Sequence, residues 1–363
     1  MVTGQEREPL RVLHVLPHRG GGAETYISML ERLNGIEHRR FYLSSGRTPV
    51  AALTSVPRRW RRLRSAARAA DLLHCHGDAA SLIVLPLLKA RPAIITTQGL
   101  HLLRRLRGVR RHAMQRALAA VIARSHAVVC SSAAEYEDLL AFTPPGQRQK
   151  LRLIHNAVDP VPAPSDTTRA AARHELGATS DTTLALFVGQ LEPRKRPLLA
   201  ARAAVRAHQL GARIRLLIVG AGPQAAELQP LIGDVVQLLG QRDDVSRLMQ
   251  AADVFVQPSE REGMSFALLE ALSHGLAIVA ADASSNPEAV GDAGLLFPAG
   301  DESACAATLH RLAADAGLRH ELSVRARHRA AERFAPAAFL QTSHTLYTAA
   351  VRGPGRDGRG RPA

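Results

Sequence analysis

The sequence predicts an α/β protein built from two successive doubly wound, Rossmann-like domains, and three observations carry that prediction. Short β-branched or Leu-rich runs alternate with longer helical patterns from Arg11 almost to the end, an order that makes βαβ units and parallel sheets. The alternation stops at Pro160, Pro162 and Pro164 and then starts again, as it does at a boundary between domains. A chain of 363 residues has room for two domains of ordinary size, each burying its own core.

The first half opens with a strand over Arg11–Pro17, which Gly20, Gly21 and Gly22 connect to a helix over Ala23–Leu33. Further strands are expected at Phe41–Ser44, Asp71–His76, Ala93–Thr97, Ala127–Ser131 and Leu151–Ile154, with helical segments between most of them. After the prolines come Thr183–Val188, Arg213–Val219, Val235–Leu239, Val254–Pro258 and Ala277–Ala280. Ligands of such sheets bind beyond the carboxyl ends of the strands, and the Gly-rich turns here follow strands. One more helix runs from Phe334-Ala335-Pro336 to about Val351, and residues 352–363 are too polar and Gly-rich to fold.

A hydrophobic share of 46% and a charged share of 22% describe a soluble globular protein. Aromatic residues make up only 4%, which argues against stacking platforms for nucleic acid. The net charge of +15 is carried by Arg, with lysine only at Lys89, Lys150 and Lys195; it reflects either coding bias or attraction to anionic substrates and surfaces. Cys75, Cys130 and Cys305 form no CxxC pair, as expected of free thiols in a reducing compartment. Met1–Leu10 has no apolar leader core, and the apolar stretch near Ser81–Leu88 is short and contains Pro86. A cytoplasmic protein is therefore expected. The stretches Arg58–Arg64 and Arg104–Arg111, interleaved with Trp60, Leu63, Leu106 and Val109, suit either a solvated helix face or reversible contact with the anionic inner face of the plasma membrane.

The segment Glu262–Gly275 is the most informative. Taken as a helix from about Met264, it sets Phe266, Leu269, Glu270 and Ser273 on one face and Leu268, Ala271 and Leu272 on the other. A helix apolar nearly all round is buried, so Glu270 needs a partner, either a ligand hydroxyl or an arginine. The turn at Glu262-Gly263 aims backbone amides of the helix start forward, where phosphate is favoured. Gly20-Gly21-Gly22 lets the backbone approach an anion or serves an ordinary tight turn. Gly220-Ala221-Gly222, with Asp243 about 20 residues on, matches a loose dinucleotide fingerprint or a turn that needs two glycines. Arg194, Lys195 and Arg196 beside Gly189 could neutralise a diphosphate. His76 and His101 stand out among sixteen histidines because each sits at or just after a strand end. No Asp-x-Asp occurs, so no divalent metal is expected.

Together these pieces resemble glycosyltransferase family 4, nucleotide-sugar enzymes of the GT-B architecture, whose two Rossmann-like domains face a cleft. The resemblance rests on Gly21-Gly22-Ala23-Glu24, His155-Asn156-Ala157-Val158-Asp159, Val188-Gly189-Gln190-Leu191 with Pro193 and Lys195, the Glu262/Glu270 pair, Asn286-Pro287-Glu288 and Gly294–Pro298. It implies an acceptor-side domain over 1–164, a nucleotide-sugar domain over 165–333, a helix over 334–351 crossing back to the first domain and a disordered tail over 352–363. By the same resemblance Glu270 binds the ribose hydroxyls, Lys195 with Arg194 the diphosphate, and the amides of Gly263, Met264, Ser265 and Phe266 the distal phosphate. Gln241-Arg242 borders the base, Gly222 belongs to the donor side, and Gly21 and Gly22 close on the phosphates. Glu262, His101 and Gln98 fall at the reaction zone. Family members commonly carry Arg where Gln190 stands and His where Gln98 stands; Arg194 and His101 are candidate replacements.

The activity implied is a retaining, metal-independent transfer from a UDP- or GDP-sugar to a glycan, lipid-linked or small-molecule acceptor, with no cofactor and no nucleic acid partner. Two alternatives share the architecture: a nucleotide-sugar 2-epimerase, and a nucleotide-sugar-binding protein without turnover.

Overall fold

The computed structural model describes residues 8–44 and 49–352, with the backbone alone over residues 49–58. The tail from Gly353 and the side chain of Arg58 lie outside the described residues. The described chain divides into two compact units, one holding residues up to Asn156 and those from Pro336 onward, the other holding Ala157–Ala335.

The first unit is a six-stranded parallel sheet: β1 (Leu10–Leu16), β2 (Ile36–Tyr42), β3 (Leu72–His76), β4 (Ala93–Thr96), β5 (Ala127–Cys130) and β6 (Leu151–Leu153), in the spatial order β2-β1-β3-β4-β5-β6. The second is also six-stranded and parallel: β7 (Thr183–Val188), β8 (Ile214–Val219), β9 (Val236–Gly240), β10 (Val254–Gln257), β11 (Ala277–Asp282) and β12 (Gly294–Pro298), ordered β12-β11-β10-β7-β8-β9. Strand order reverses between β1 and β3 in one sheet and between β7 and β10 in the other. In open α/β sheets, the carboxyl ends of strands at such a reversal form a crevice.

Two strands differ from expectation. β2 begins at Ile36, not Phe41, because Glu37, His38, Arg39 and Arg40 hide an edge strand that only half buries its side chains. β12 was not foreseen as a strand; it too is an edge, and only Phe297 is fully buried in it. The expected boundary at Pro164 also moves. The Pro-rich segment is fastened within the second unit: Val158 N donates to Phe334 O (2.9 Å), Val161 N to Ser273 Oγ (3.0 Å), and Arg327 Nη1 to Val161 O (3.0 Å). Proline denies the segment a ladder of its own, so side chains from neighbouring helices satisfy it. The other end of the unit lies at Ala335, and the helix Pro336–Arg352 packs in the first unit through Phe339 and Tyr347.

The two sheets are buried differently. In the second, alternate residues feed two apolar cores. Phe187, Leu216, Ile218, Val256 and Val279 enter one, and Leu186, Leu217, Phe255 and Ile278 the other. This is the usual state of a parallel sheet covered on both faces. In the first, Leu13, Val15, Leu73, Cys75, Ile95 and Val128 form an apolar core on one face. The opposite face carries His14, His74, His76 and Thr96, all buried.

Candidate active site

At the reversal of the second sheet, the turn after β7 meets the segment after β10. Gly189 to Lys195 follows β7 and ends in a single 3-10 turn, Pro193–Lys195, capped by Arg196 in left-handed conformation (φ 55°). The three cations thus precede the helix Pro197–Gln209. Arg196 is the N-cap of that helix. Lys195 Nζ forms an ion pair with Glu262 Oε1 at 2.6 Å, with side-chain exposures of 13% and 7%. Arg194 Nη1 stands 3.7 Å from the same oxygen. Arg194 also donates to Glu192 (3.0 Å) and to Gln190 Oε1 (2.9 Å), while Arg196 turns to Glu260 (2.6 Å). Lys195 and Arg194, set here against Glu262 and Glu192, are cations that a diphosphate could draw to itself.

Glu262 is held on its backbone side by Ser284, whose hydroxyl accepts from Glu262 N (3.2 Å) and donates to Glu262 O (2.7 Å). The helix begins later than the sequence suggested, running Phe266–His274 with Ser265 as cap, whose hydroxyl accepts from Leu268 N (3.4 Å). Met264 therefore precedes the helix and is buried in the core. The amides of Gly263, Ser265 and Phe266 take no acceptor among the described residues, as at any helix start awaiting an anion. Ser273 is spent on the backbone of Asp159 and Val161. Glu270 has no arginine: its carboxylate pairs with nothing among the described residues, and burial alone raises its pKa. An unpaired, desolvated acid one helical turn and more from a phosphate-type site is what the hydroxyl-binding reading requires.

Gly220 and Gly222 have a packing reason. A Cβ on Gly220 (φ 141°) would sit 1.8 Å from Gly189 O, and one on Gly222 2.6 Å from Leu191 O. These glycines let the β7 and β8 turns touch, which removes the need for a dinucleotide fingerprint. Gln241 is exposed, and Arg242 is engaged by Asp244 (2.6–2.7 Å).

In the first unit, the loops at the reversal are those after β1 and β3. Gly20 and Gly21 take φ of 82° and 85°, and Gly21 caps the helix Gly22–Leu30; all three glycines are exposed. The loop after β4 is more unusual. Gln98, Gly99 and Leu100 are consecutive left-handed residues (φ 49°, 111° and 47°), a strained run of the kind found at functional sites. Two buried carboxylates fasten it. Glu135 accepts from Gly99 N and from Ser131, and Asp78 Oδ2 accepts from Leu102 N (2.7 Å) and Leu103 N (3.1 Å). The His101 ring lies over Gly99, 2.4 Å from where a Cβ would stand. Gln98 Nε2 lies 3.2 Å from His76 Nδ1.

Sequence reasoning missed the surroundings of His76. Pairing of β1 with β3 sets His14 beside His74, and alternation adds His76 to the same face. Ring nitrogens of the three lie within 4.8 Å of one another. The expectation that no metal-competent cluster exists is corrected to that extent, because partners 60 residues apart meet only through strand pairing. The readable signal was a histidine at alternate positions of two adjacent parallel strands. Burial keeps all three neutral, His76 with its pKa pushed down to about 3.

Comparison with known proteins matches both parts of the chain. Residues 4–161 match the model described as Glycosyltransferase Family 4, and residues 182–315 that described as Glycosyl transferases group 1. The D-inositol 3-phosphate glycosyltransferase of Streptomyces bingchenggensis is 32% identical over 206 residues, 51% of this chain and 44% of that protein. The D-inositol 3-phosphate glycosyltransferase of Stackebrandtia nassauensis is 33% identical over 243 residues, 58% of this chain and 51% of its own length. The chain thus spans about half the length of these curated relatives. Among solved structures, a sucrose-phosphate synthase from Thermosynechococcus elongatus superposes with a TM-score of 0.78 at 19% identity, covering 93% and 98% of the two chains. Anabaena HepE, solved with UDP and glucose, gives 0.74 at 19%, covering 94% and 100%. At such identity the likeness shows the fold, two Rossmann-like domains of the GT-B kind. With the fold agreeing and the two halves matching models of one family, the chain belongs to the family 4, group 1 glycosyltransferases.

Proposed function

We propose that the protein transfers a sugar, with retention and without a metal, from a nucleotide-diphosphate sugar to a hydroxyl of a glycan, lipid-linked or small-molecule acceptor. The observation that carries this reading is the grouping in the second unit: Lys195 and Arg194 about Glu262, open amides before the helix Phe266–His274, and the unpaired Glu270 in that helix. In this reading the cations and amides neutralise the diphosphate, and Glu270 accepts from the ribose hydroxyls. With the diphosphate so held, catalysis rests on positioning and on stabilising charge that grows on the leaving phosphate. That charge sits on the face from which the acceptor attacks, so the phosphate can take the acceptor proton. Relatives named for D-inositol 3-phosphate and the HepE structure with UDP and glucose support a nucleotide-sugar donor and a polyol-type acceptor.

The test is a ligand panel read by thermal shift and calorimetry, since a ligand bound only to the folded state raises apparent stability. UDP or GDP should stabilise the protein, and Glu270→Gln should weaken that binding by about 1.5–3 kcal/mol, the value of a hydrogen bond to a charged group. Because Glu270 is destabilised by burial, the variant without ligand should be as stable as the parent or slightly more so. Unchanged nucleotide affinity in the folded variant would reject the assignment. Turnover that survives EDTA supports the metal-free reading. Epimer formation from donor alone would favour the epimerase; binding without turnover would favour the non-enzymatic alternative, to which the Gln98 and Gln190 departures point.

No described helix is long and apolar enough to cross a membrane. Arg105, Arg107 and Arg110 are exposed around Val109, itself 86% exposed, which supports a salt-sensitive contact with an anionic surface.

A further inference from the structure

The histidine face of the first sheet holds a continuous chain of hydrogen bonds that ends at Gln98. Gln98 Nε2 lies 3.2 Å from His76 Nδ1, His76 Nε2 lies 2.9 Å from His14 Nδ1, and His14 Nε2 lies 2.8 Å from His38 Nδ1. A second branch fixes His74 between Tyr347 Oη (2.6 Å) and Thr96 Oγ1 (2.7 Å). The His74 and His76 rings lie 4.3 Å apart between centroids, so the branch buttresses His76. His14, His74 and His76 are at most 1% exposed. Three of these rings could approach a metal, but each ring nitrogen of His14, His74 and His76 already has a partner, so the arrangement is a finished network of neutral imidazoles.

A chain of neutral imidazoles has a direction, because each ring donates from one nitrogen and accepts at the other. Its Gln98 end sets that direction here. An amide nitrogen only donates, so His76 accepts at Nδ1 from Gln98 Nε2 and carries its proton on Nε2. His76 then donates from Nε2 to His14 Nδ1, and His14 donates from Nε2 to His38 Nδ1. His38, accepting at Nδ1, carries its proton on Nε2. Gln98 Oε1 is left with no partner among the described residues, on a half-buried side chain held in a left-handed backbone.

We propose that His76, backed by His14 and His38, is a positioning residue that locks the Gln98 amide with its carbonyl oxygen turned outward, as a hydrogen-bond acceptor for a substrate hydroxyl. The proposal rests on the glycosyl-transfer reading for the identity of that substrate, though not for the direction of the chain. An imidazole at position 98 could offer one acceptor or one donor according to its tautomer. The locked amide offers an acceptor only, so it would favour ligands that bring a hydroxyl proton to this point.

The test is nitrogen-15 NMR of the histidine rings in the full chain, with turnover measured alongside. In the unaltered protein, His76, His14 and His38 should all be neutral with the proton on Nε2. Gln98→Glu replaces the donor by an acceptor-only group, and His76 should then show a proton on Nδ1. Gln98→Met should lower kcat roughly 10-fold, the value of one hydrogen bond, with little change in KM for the nucleotide sugar. His76→Asn keeps an acceptor toward Gln98 and should retain more turnover than His76→Leu, whereas a merely structural role predicts equal losses. A proton on Nδ1 of His76 in the unaltered protein, tautomers indifferent to Gln98→Glu, or zinc-shifted ring nitrogens at micromolar zinc would overturn the proposal. If the tautomers come out as stated but no nucleotide sugar is turned over, the functional reading falls and the network stands.

Discussion

The two sheets have the same topology class and opposite interiors. The second is apolar on both faces and keeps its charges at the ends of its strands, where Lys195 meets Glu262. The first sets a cluster of histidines among the apolar residues of one face, roofed by Tyr26 from the helix Gly22–Leu30 and by Phe339 and Tyr347 from the helix Pro336–Arg352. The units also satisfy buried carboxylates differently. Asp78 and Glu135 are held by backbone amides, whereas Glu262 is held by a lysine. Amides are fixed parts of the fold and a lysine can be drawn away by a ligand. The first arrangement preserves a loop shape, and the second leaves a charge available to a diphosphate.

Acid should separate the units most strongly. Burial lowers the pKa of His14, His74 and His76, His76 to about 3. Below the ordinary value of about 6.5 the unfolded chain therefore binds more protons than the folded one. Stability is complete above that pH and is lost as pH falls toward the folded values, at about 1.4 kcal/mol per pH unit for each ring. In the second unit Glu270 has the opposite sign, its raised pKa favouring the folded state as pH falls; His274 opposes it, as do Asp181 and Asp244 at lower pH. Hydrogen exchange between pH 7 and 4.5 should show the first unit opening before the second; simultaneous opening would contradict the burial of neutral histidines.

Removing the lysine is the next largest effect. Lys195→Met leaves Glu262 buried, with Arg194 still beside it at 3.7 Å, and should cost about 3 kcal/mol, the low end for a broken buried pair. Adding Glu262→Gln should restore much of that loss. Denaturant unfolding checks both, and two variants of equal stability would mean the pair is better solvated than its 13% and 7% exposures imply.

Glycine substitutions sharpen the same contrast. Gly220→Ala drives a Cβ into a backbone oxygen at 1.8 Å and should cost roughly 3–5 kcal/mol, since neither side can yield and φ is unsuitable. Gly99→Ala meets a side chain instead, the His101 ring at 2.4 Å. It should cost only about 1–2 kcal/mol, the strain of its positive φ, while displacing that ring. Thermal unfolding ranks the two, and the reverse order would refute the distinction between rigid and yielding neighbours.

The smallest effect concerns the arginines. Replacing exposed Arg105, Arg107 and Arg110 by Gln should leave stability within about 0.5 kcal/mol and weaken flotation with anionic vesicles at low salt. Arg104 is excluded from the set because Asp138 already holds it at 2.8 Å. Flotation indifferent to lipid charge and to salt would remove the surface-contact proposal.

Much of this molecule was legible beforehand. The strand Thr183–Val188 was placed to the residue and most others within a residue or two at each end, because a buried parallel strand is a short apolar run between turn residues. Two of the four edge strands, β2 and β12, were misplaced or missed; in β2, Glu37, His38, Arg39 and Arg40 need not be apolar where solvent takes one side. Lys195, Glu262 and Glu270 could be singled out because charge within an apolar or Gly-bounded context is visible along the chain. By itself the sequence determined the two parallel sheets, the restart after the prolines and the residues that bear charge near the glycine turns. Only the tertiary structure decided that Lys195 and Glu262 neutralise each other, that Glu270 has no arginine among the described residues, that Gly220 and Gly222 are packing glycines, and that His14, His38, His74 and His76 come together on one face. The reason is distance: each of these depends on groups brought together by strand pairing and strand order, whereas periodicity and turn chemistry report only on neighbours in the chain.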